Sequence, residues 1–306
     1  MENLIPIVFG LTYLGMALGR VPGLKLDRTG IALIAAVVLL ASGKVAVEDA
    51  GAAIDMSTML LLFALMLVSA QFQEAGLYRV VAGKLAVDAA SSDRLLALVI
   101  GISGLLSAVL ANDIVVFAMA PMLVEGVRGR GMDPRPFLLA LAGGANAGSA
   151  MTIIGNPQNI LIGQVGGLDF WRFLLVCGVP AVVAMILVFF VIRRMWRTEL
   201  SIPPVPAAEG MLPQLDVWQT VKGGAAVIGL LVLFATDLPR EVGALAVAAP
   251  LLLSRRLASR DMIGAVDWHL LVLFACLFVV TDSFAASPWA ASGVEWLAER
   301  QWLPDR

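Results

Sequence analysis

AGGANAGSAMTIIGNPQNILIG, residues 142–163, has the composition of a membrane helix and is broken in its second half by Gly155-Asn156-Pro157-Gln158-Asn159. Pro157 has no backbone N–H to give, Gly155 costs backbone entropy, and three amide side chains demand hydrogen-bond partners. In hydrocarbon an unsatisfied polar group is costly, so such a break persists only where protein or a water-filled cavity surrounds it. The stretch predicts a discontinuous membrane helix over 136–165 that lines a site.

The rest of the chain agrees with a membrane setting. Of its 306 residues 60% are hydrophobic and 14% charged, against about 25% charged in soluble domains, and the mean hydropathy is +0.91. The expected class is an all-α polytopic membrane protein. A formal charge of -2 gives no reason to expect nucleic acid as a partner. Cys177 and Cys276 lie in apolar runs and read as buried thiols, not as a disulfide or a transition-metal site. The opening run follows Glu2 and lacks a small-residue cleavage site, so it reads as a retained helix. Apolar spans are expected at 4–19, 29–45, 56–76, 170–192, 218–236, 241–254 and 268–286, with two shorter arms at 95–111 and 114–127.

Loop charges assign sides. With Arg20, Lys25 and Arg28 cytoplasmic, successive loops alternate so that sixteen of the 21 basic residues fall inside, as the positive-inside rule requires. Arg94 and Arg128 fall on one side, so 95–127 crosses twice or re-enters. Arms shorter than the about 20 residues of a full crossing favour a re-entrant hairpin.

A repeat is also visible. AIDMSTMLLLFALMLVSAQF (53–72) resembles AVDWHLLVLFACLFVVTDSF (265–284), Ser42 and Ser254 each precede an Asp by thirteen residues, and VFGL (8–11) returns as VIGL (227–230). The charge assignment runs the two copies in opposite senses. An inverted repeat with a broken helix is the plan of a secondary transporter, with solute and coupling ion bound near the midplane. The expected organisation is a first repeat over 1–192 (hairpin 95–127, broken helix 136–165, span 170–192), a Pro-rich cytoplasmic linker over 193–217, and a partial second repeat over 218–306. This second repeat is expected to be incomplete, because no second tip or break precedes Arg306.

The hairpin tip, LLSAVLANDIVVFAMAPMLV (105–124), places Asn112 and Asp113 between its arms. A carboxylate in the membrane marks an ion or proton path by default, although Asp113 would also serve as an N-cap for the returning arm. In the broken span Asn146, Asn156 and Asn159, with Gly155 and Pro157, offer carbonyls to a cation and N–H groups to an anion. The alternative is a Pro-kinked packing helix whose amides bond to neighbours. Asp282, inside its span, is either a proton relay or a residue reaching water at the outer end. Gln71, Gln73 and Glu74 read as an aqueous edge, and His269 as an interfacial anchor beside Trp268.

GGANAGSAMTIIGNPQNILIG together with the Ala111-Asn112-Asp113 tip resembles the ion transporter superfamily, which contains divalent anion:sodium symporters, citrate carriers, arsenite efflux permeases and sodium/proton antiporters. The likeness is greatest to a bacterial anion-permease branch. It implies a sodium site near Asn112 and Gly155, a homodimer, and the bacterial inner membrane as location. In dicarboxylate symporters the tip is Ser-Asn-Thr; Ala111 and Asp113 depart from it and resemble arsenite permeases. The expected function is H+- or Na+-coupled transport of a small inorganic or organic anion, with no resident cofactor. Arsenite or antimonite efflux, Na+/H+ antiport and a truncated, non-transporting membrane protein are the alternatives. An intramembrane hydrolase built on Asp113 lacks a second carboxylate, a Ser–His pair or a metal cluster at useful spacing.

Overall fold

A computed structural model describes residues 3–19, 23–88, 90–201, 205, 214–236 and 238–300. Arg20, Asp237, most of the Pro-rich linker and the chain end after Arg300 lie outside the described residues. In order, the helices are α1 (Leu4–Leu18), α2 (Arg28–Ala41), α3 (Val47–Ala53), α4 (Met56–Glu74), α5 (Leu77–Asp88), α6 (Ser92–Val109), α7 (Asn112–Gly129) and α8 (Arg135–Ser149). Then come α9 (Pro157–Val165), α10 (Phe170–Met195), α11 (Arg197–Leu200), α12 (Val217–Leu233), α13 (Arg240–Ala248) with a 3-10 turn at Ala249–Leu252, α14 (Ser259–Gly264), α15 (Trp268–Ala285) and α16 (Pro288–Glu299). Among the described residues α4, α6, α10 and α15 are long and apolar enough to cross a membrane.

The chain forms two compact units. One combines Met1–Met59 with Asp267–Arg306. Within it α2 turns a small face, Ala32, Ala35, Ala36 and Leu39, onto Cys276, Val279 and Val280 of α15. Phe9 of α1 stacks on Phe284 at 4.0 Å between ring centroids. Small residues let the helices approach closely, which replaces the hydrophobic drive that lipid does not supply.

The other unit is Leu60–Val266. Its centre is the α6–α8 pair. A Cβ built on Gly148 would lie 2.2 Å from Cα of Gly104, and one on Gly144 would lie 2.5 Å from Oγ of Ser103. Two turns of each helix are thus in backbone contact through small residues. α10 packs along α8 and α6, and α5 packs against α7. The span limits from hydropathy hold to within a few residues, but α5 carries no signal in that reading, being short and punctuated by Arg79 and Lys84.

The described part of the linker is strapped down instead of hanging free. The Val205 N–H bonds to the Arg130 carbonyl at 3.1 Å and the Asp216 N–H to the Ala75 carbonyl at 3.0 Å. Asp216 caps α12; the Gln219 N–H, and with it Arg256, holds its carboxyl below the usual range. Nor is Gln71 an aqueous edge: it is wholly buried, its Nε2 donating to Oε1 of Gln219 at 2.8 Å, and Gln219 in turn donates to Ser254. Burial of one amide is tolerated because a second amide, 148 residues on, meets it.

The same order of elements occurs twice. A long helix, a second helix, a short helix and an Asp-capped long helix run through α1 to α4 and again through α12 to α15. Asp55 accepts the Thr58 N–H at 2.8 Å, as Asp267 accepts that of Leu270 at 3.0 Å.

Candidate functional site

The helix is interrupted, but at 150–156 and not over the expected 155–159: α8 stops at Ser149 and α9 starts at Pro157, so Pro157, Gln158 and Asn159 are helical. Pro157 occupies the first helical position, where its missing N–H has no intrahelical partner to lose. Asn156 is the N-cap, its Oδ1 accepting the Asn159 N–H at 2.8 Å. Its Nδ2 reaches back to Oγ of Ser149 at 3.2 Å. Asn159 donates from Nδ2 to the carbonyls of Thr152, at 2.8 Å, and Ser149, at 3.3 Å. Two of the three asparagines therefore brace the break itself: Asn156 caps α9 and holds the Ser149 hydroxyl, and Asn159 satisfies the carbonyls of Ser149, at the end of α8, and of Thr152, within the break. Gly155 is required by closeness: a Cβ there would lie 2.2 Å from the Ser149 carbonyl oxygen.

The hairpin turn is tighter than the sequence suggests. α6 and α7 have 18 residues each, longer than the arms expected at 95–111 and 114–127, and only Leu110 and Ala111 lie between them. Asn112 and Asp113 are thus the first two residues of α7, not tip residues. The N-cap is Ala111, so Asp113 does not cap the helix; it stands in the first turn, where the helix dipole favours a negative charge. Its side chain is exposed, while Asn112 is buried at 8%.

Hydrogen bonds join the turn to the break. Asn112 Nδ2 donates to Asn146 Oδ1 at 3.2 Å. Thr152 donates to the carbonyl of Ala108 in the last turn of α6. Ser69 of α4, wholly buried, accepts the Ala111 N–H at 2.9 Å. Two helix N-termini (α7, α9) and two C-termini (α6, α8) are linked through these side chains. Asn112 Oδ1, Asn146 Nδ2 and Asn159 Oδ1 accept or donate no hydrogen bond among the described residues. The cluster presents carbonyl oxygens, suited to a hard cation, beside N-terminal N–H groups, suited to an anion.

Ser69, Ser149 and Thr152 are the members that sequence reading passes over, since a lone hydroxyl in an apolar run carries no distinguishing signal. Asp282 belongs to the other unit. It is exposed and lines a cavity of about 1010 Å³ with Lys44, Asp49 and Ser283. His269 is exposed beside Trp268, and its carbonyl accepts from Thr29 at 3.3 Å.

Residues 13–303 match the citrate transporter family. A silicon efflux transporter of Oryza sativa subsp. japonica is 35% identical over 169 residues, 55% of this chain and 35% of that protein. A 46 kDa membrane protein of Mycobacterium leprae is 26% identical over 287 residues, 90% of this chain and 66% of that one. The inner membrane protein YbiR of Escherichia coli is 30% identical over 238 residues, 74% and 59% respectively. The chain thus spans less than two thirds of the length of each of these relatives.

Proposed function

Because the chain belongs to the citrate transporter family and is a multi-pass membrane protein, we propose that it is a cation-coupled secondary transporter of a small inorganic or organic anion. The site consists of Asn112, Asp113, Asn146, Gly155, Asn156, Pro157 and Asn159. The coupling ion is H+ or Na+, taken at Asp113 and at the carbonyl oxygens near Asn112 and Gly155; the anion faces the N-terminal N–H groups of α7 and α9. The observation that carries this reading is the 3.2 Å bond from Asn112 to Asn146. It ties the first residue of α7, the neighbour of Asp113, to the last turn of α8 just before the break, 34 residues on. The arms of 92–129 serve as the re-entrant hairpin, and the doubled order of elements is the inverted repeat along which the site is carried. Asp282, which lines a cavity of the other unit, is a secondary proton relay at most.

Efflux of an oxyanion such as arsenite is the second reading. It is favoured by the Ala111-Asn112-Asp113 sequence at the start of α7 and by the 35% identity, over 169 residues, to a silicon efflux transporter.

The test is anion flux in proteoliposomes with an imposed sodium or pH gradient, for the chain and for Asp113→Asn. The substitution removes the charge and keeps the shape, so gradient-driven flux is expected to disappear while insertion is retained. Gradient-coupled flux at the original rate in Asp113→Asn would remove Asp113 from the mechanism.

A further inference from the structure

The inner end of α10 carries a feature that the transport site does not use. Arg193, Arg194 and Arg197 line a cavity of about 470 Å³ with Asp93, Phe190 and Leu200. Asp93 is the one carboxylate of that lining, and it is committed to Arg193, whose Nη2 stands 2.8 Å from Asp93 Oδ2. Arg194 and Arg197 make no hydrogen bond or ion pair among the described residues, and both are exposed. The lining therefore holds two guanidiniums in excess, on the side that the positive-inside rule makes cytoplasmic.

These two arginines end an apolar line. Val176, Val179, Val183, Leu187 and Phe190 are all exposed, and their spacings of three and four put them on one face of α10. Arg194 is the next step of the same spacing, and Arg197, at the start of α11, lines the same cavity as Arg194 and Phe190. From Val176 to Phe190 the helix rises about 21 Å, more than the about 15 Å of one leaflet's share of the hydrocarbon. The stripe holds no Gly, Ala or Ser, the residues that let a second helix approach. An apolar face of this kind suits a flexible chain, and the basic cavity lies at its end.

We propose that this cavity and the exposed apolar face that runs up to it are a binding site for an anionic phospholipid of the cytoplasmic leaflet. Its phosphodiester lies between Arg194 and Arg197 and an acyl chain lies along Val176 to Phe190. Arginine suits this role because its planar fork bonds two phosphate oxygens at once.

The test uses the full chain in detergent, titrated with phosphatidylglycerol or phosphatidylcholine, with bound lipid read by native mass spectrometry. Phosphatidylglycerol is expected to bind about 30-fold more tightly than phosphatidylcholine, the ratio for two basic groups at a membrane surface. In Arg194→Gln/Arg197→Gln the preference is expected to vanish, whereas Arg255→Gln/Arg256→Gln, an equal loss of charge elsewhere on the cytoplasmic side, leaves it intact. Arg194→Lys/Arg197→Lys keeps the charge that orients the chain, so it inserts normally, and is expected to lose part of the preference. The proposal is overturned if the Gln pair retains full preference, or if the Arg255/Arg256 variant loses as much. It is also overturned if inorganic phosphate at millimolar concentration displaces the lipid signal, or if Leu187→Ser dissociates a dimer while lipid preference is unchanged.

Discussion

Replacing Gly148 with Ala tests the packing on which the site rests. The added methyl would sit 2.2 Å from Gly104 Cα, with Gly104 O equally close, where carbon atoms rest at about 3.5 Å. Both obstacles are backbone, so no rotamer change relieves them, and α6 and α8 must part locally by about 1.3 Å. Asn146 is half a turn from Gly148, and its 3.2 Å bond to Asn112 would then exceed hydrogen-bonding range. Overpacking of this kind costs about 1–3 kcal/mol, and loss of the amide bond about 1 kcal/mol more. For a total near 3 kcal/mol the thermal midpoint falls by about 6–12 °C. The assay is thermal unfolding of detergent-purified protein followed by tryptophan fluorescence at one scan rate. Gly101→Ala is the control, since its Cβ meets nothing within 4 Å. An unchanged midpoint for Gly148→Ala would show that the two backbones do not approach as described.

Three further outcomes follow from other contacts. Asn156→Ala removes the acceptor of the Asn159 N–H and is expected to cost about 1 kcal/mol; Asn156→Asp, which keeps that acceptor, recovers most of the loss in a thermal-shift assay. Gln71→Leu and Gln219→Leu each strand the other amide and are expected to cost about 1–3 kcal/mol, while the double variant costs less than their sum, a coupling that a double-mutant cycle measures. Asp216 has its folded-state pKa lowered by the Gln219 N–H and Arg256, so its stabilising effect is complete above the unfolded value, near 3.9, and is lost as pH falls through the folded one. The stability difference between the chain and Asp216→Asn is therefore expected to hold above about pH 5 and to shrink as the pH falls from there through the folded-state value.

The sequence by itself marked the apolar segments that became helices, because hydropathy is a sum over neighbours along the chain. It also placed the helix break to within a few residues, because Pro157 and Gly155 act on their own backbone, and it singled out Asp113 as a carboxylate in an apolar run. The tertiary structure alone decided what those residues touch. That Asn112 meets Asn146, that Ser69 holds the turn and that Gln71 is clamped by Gln219 are pairings across 34, 42 and 148 residues, and no local pattern encodes a partner so far away. The same holds for Gly148: its composition suggests a small face, but only the position of Gly104 opposite makes a single methyl intolerable. Asn156 and Asn159 show the other side of this limit. Their type pointed to polar groups in need of partners within an apolar span, and the fold spends much of that polarity on keeping the broken helix together.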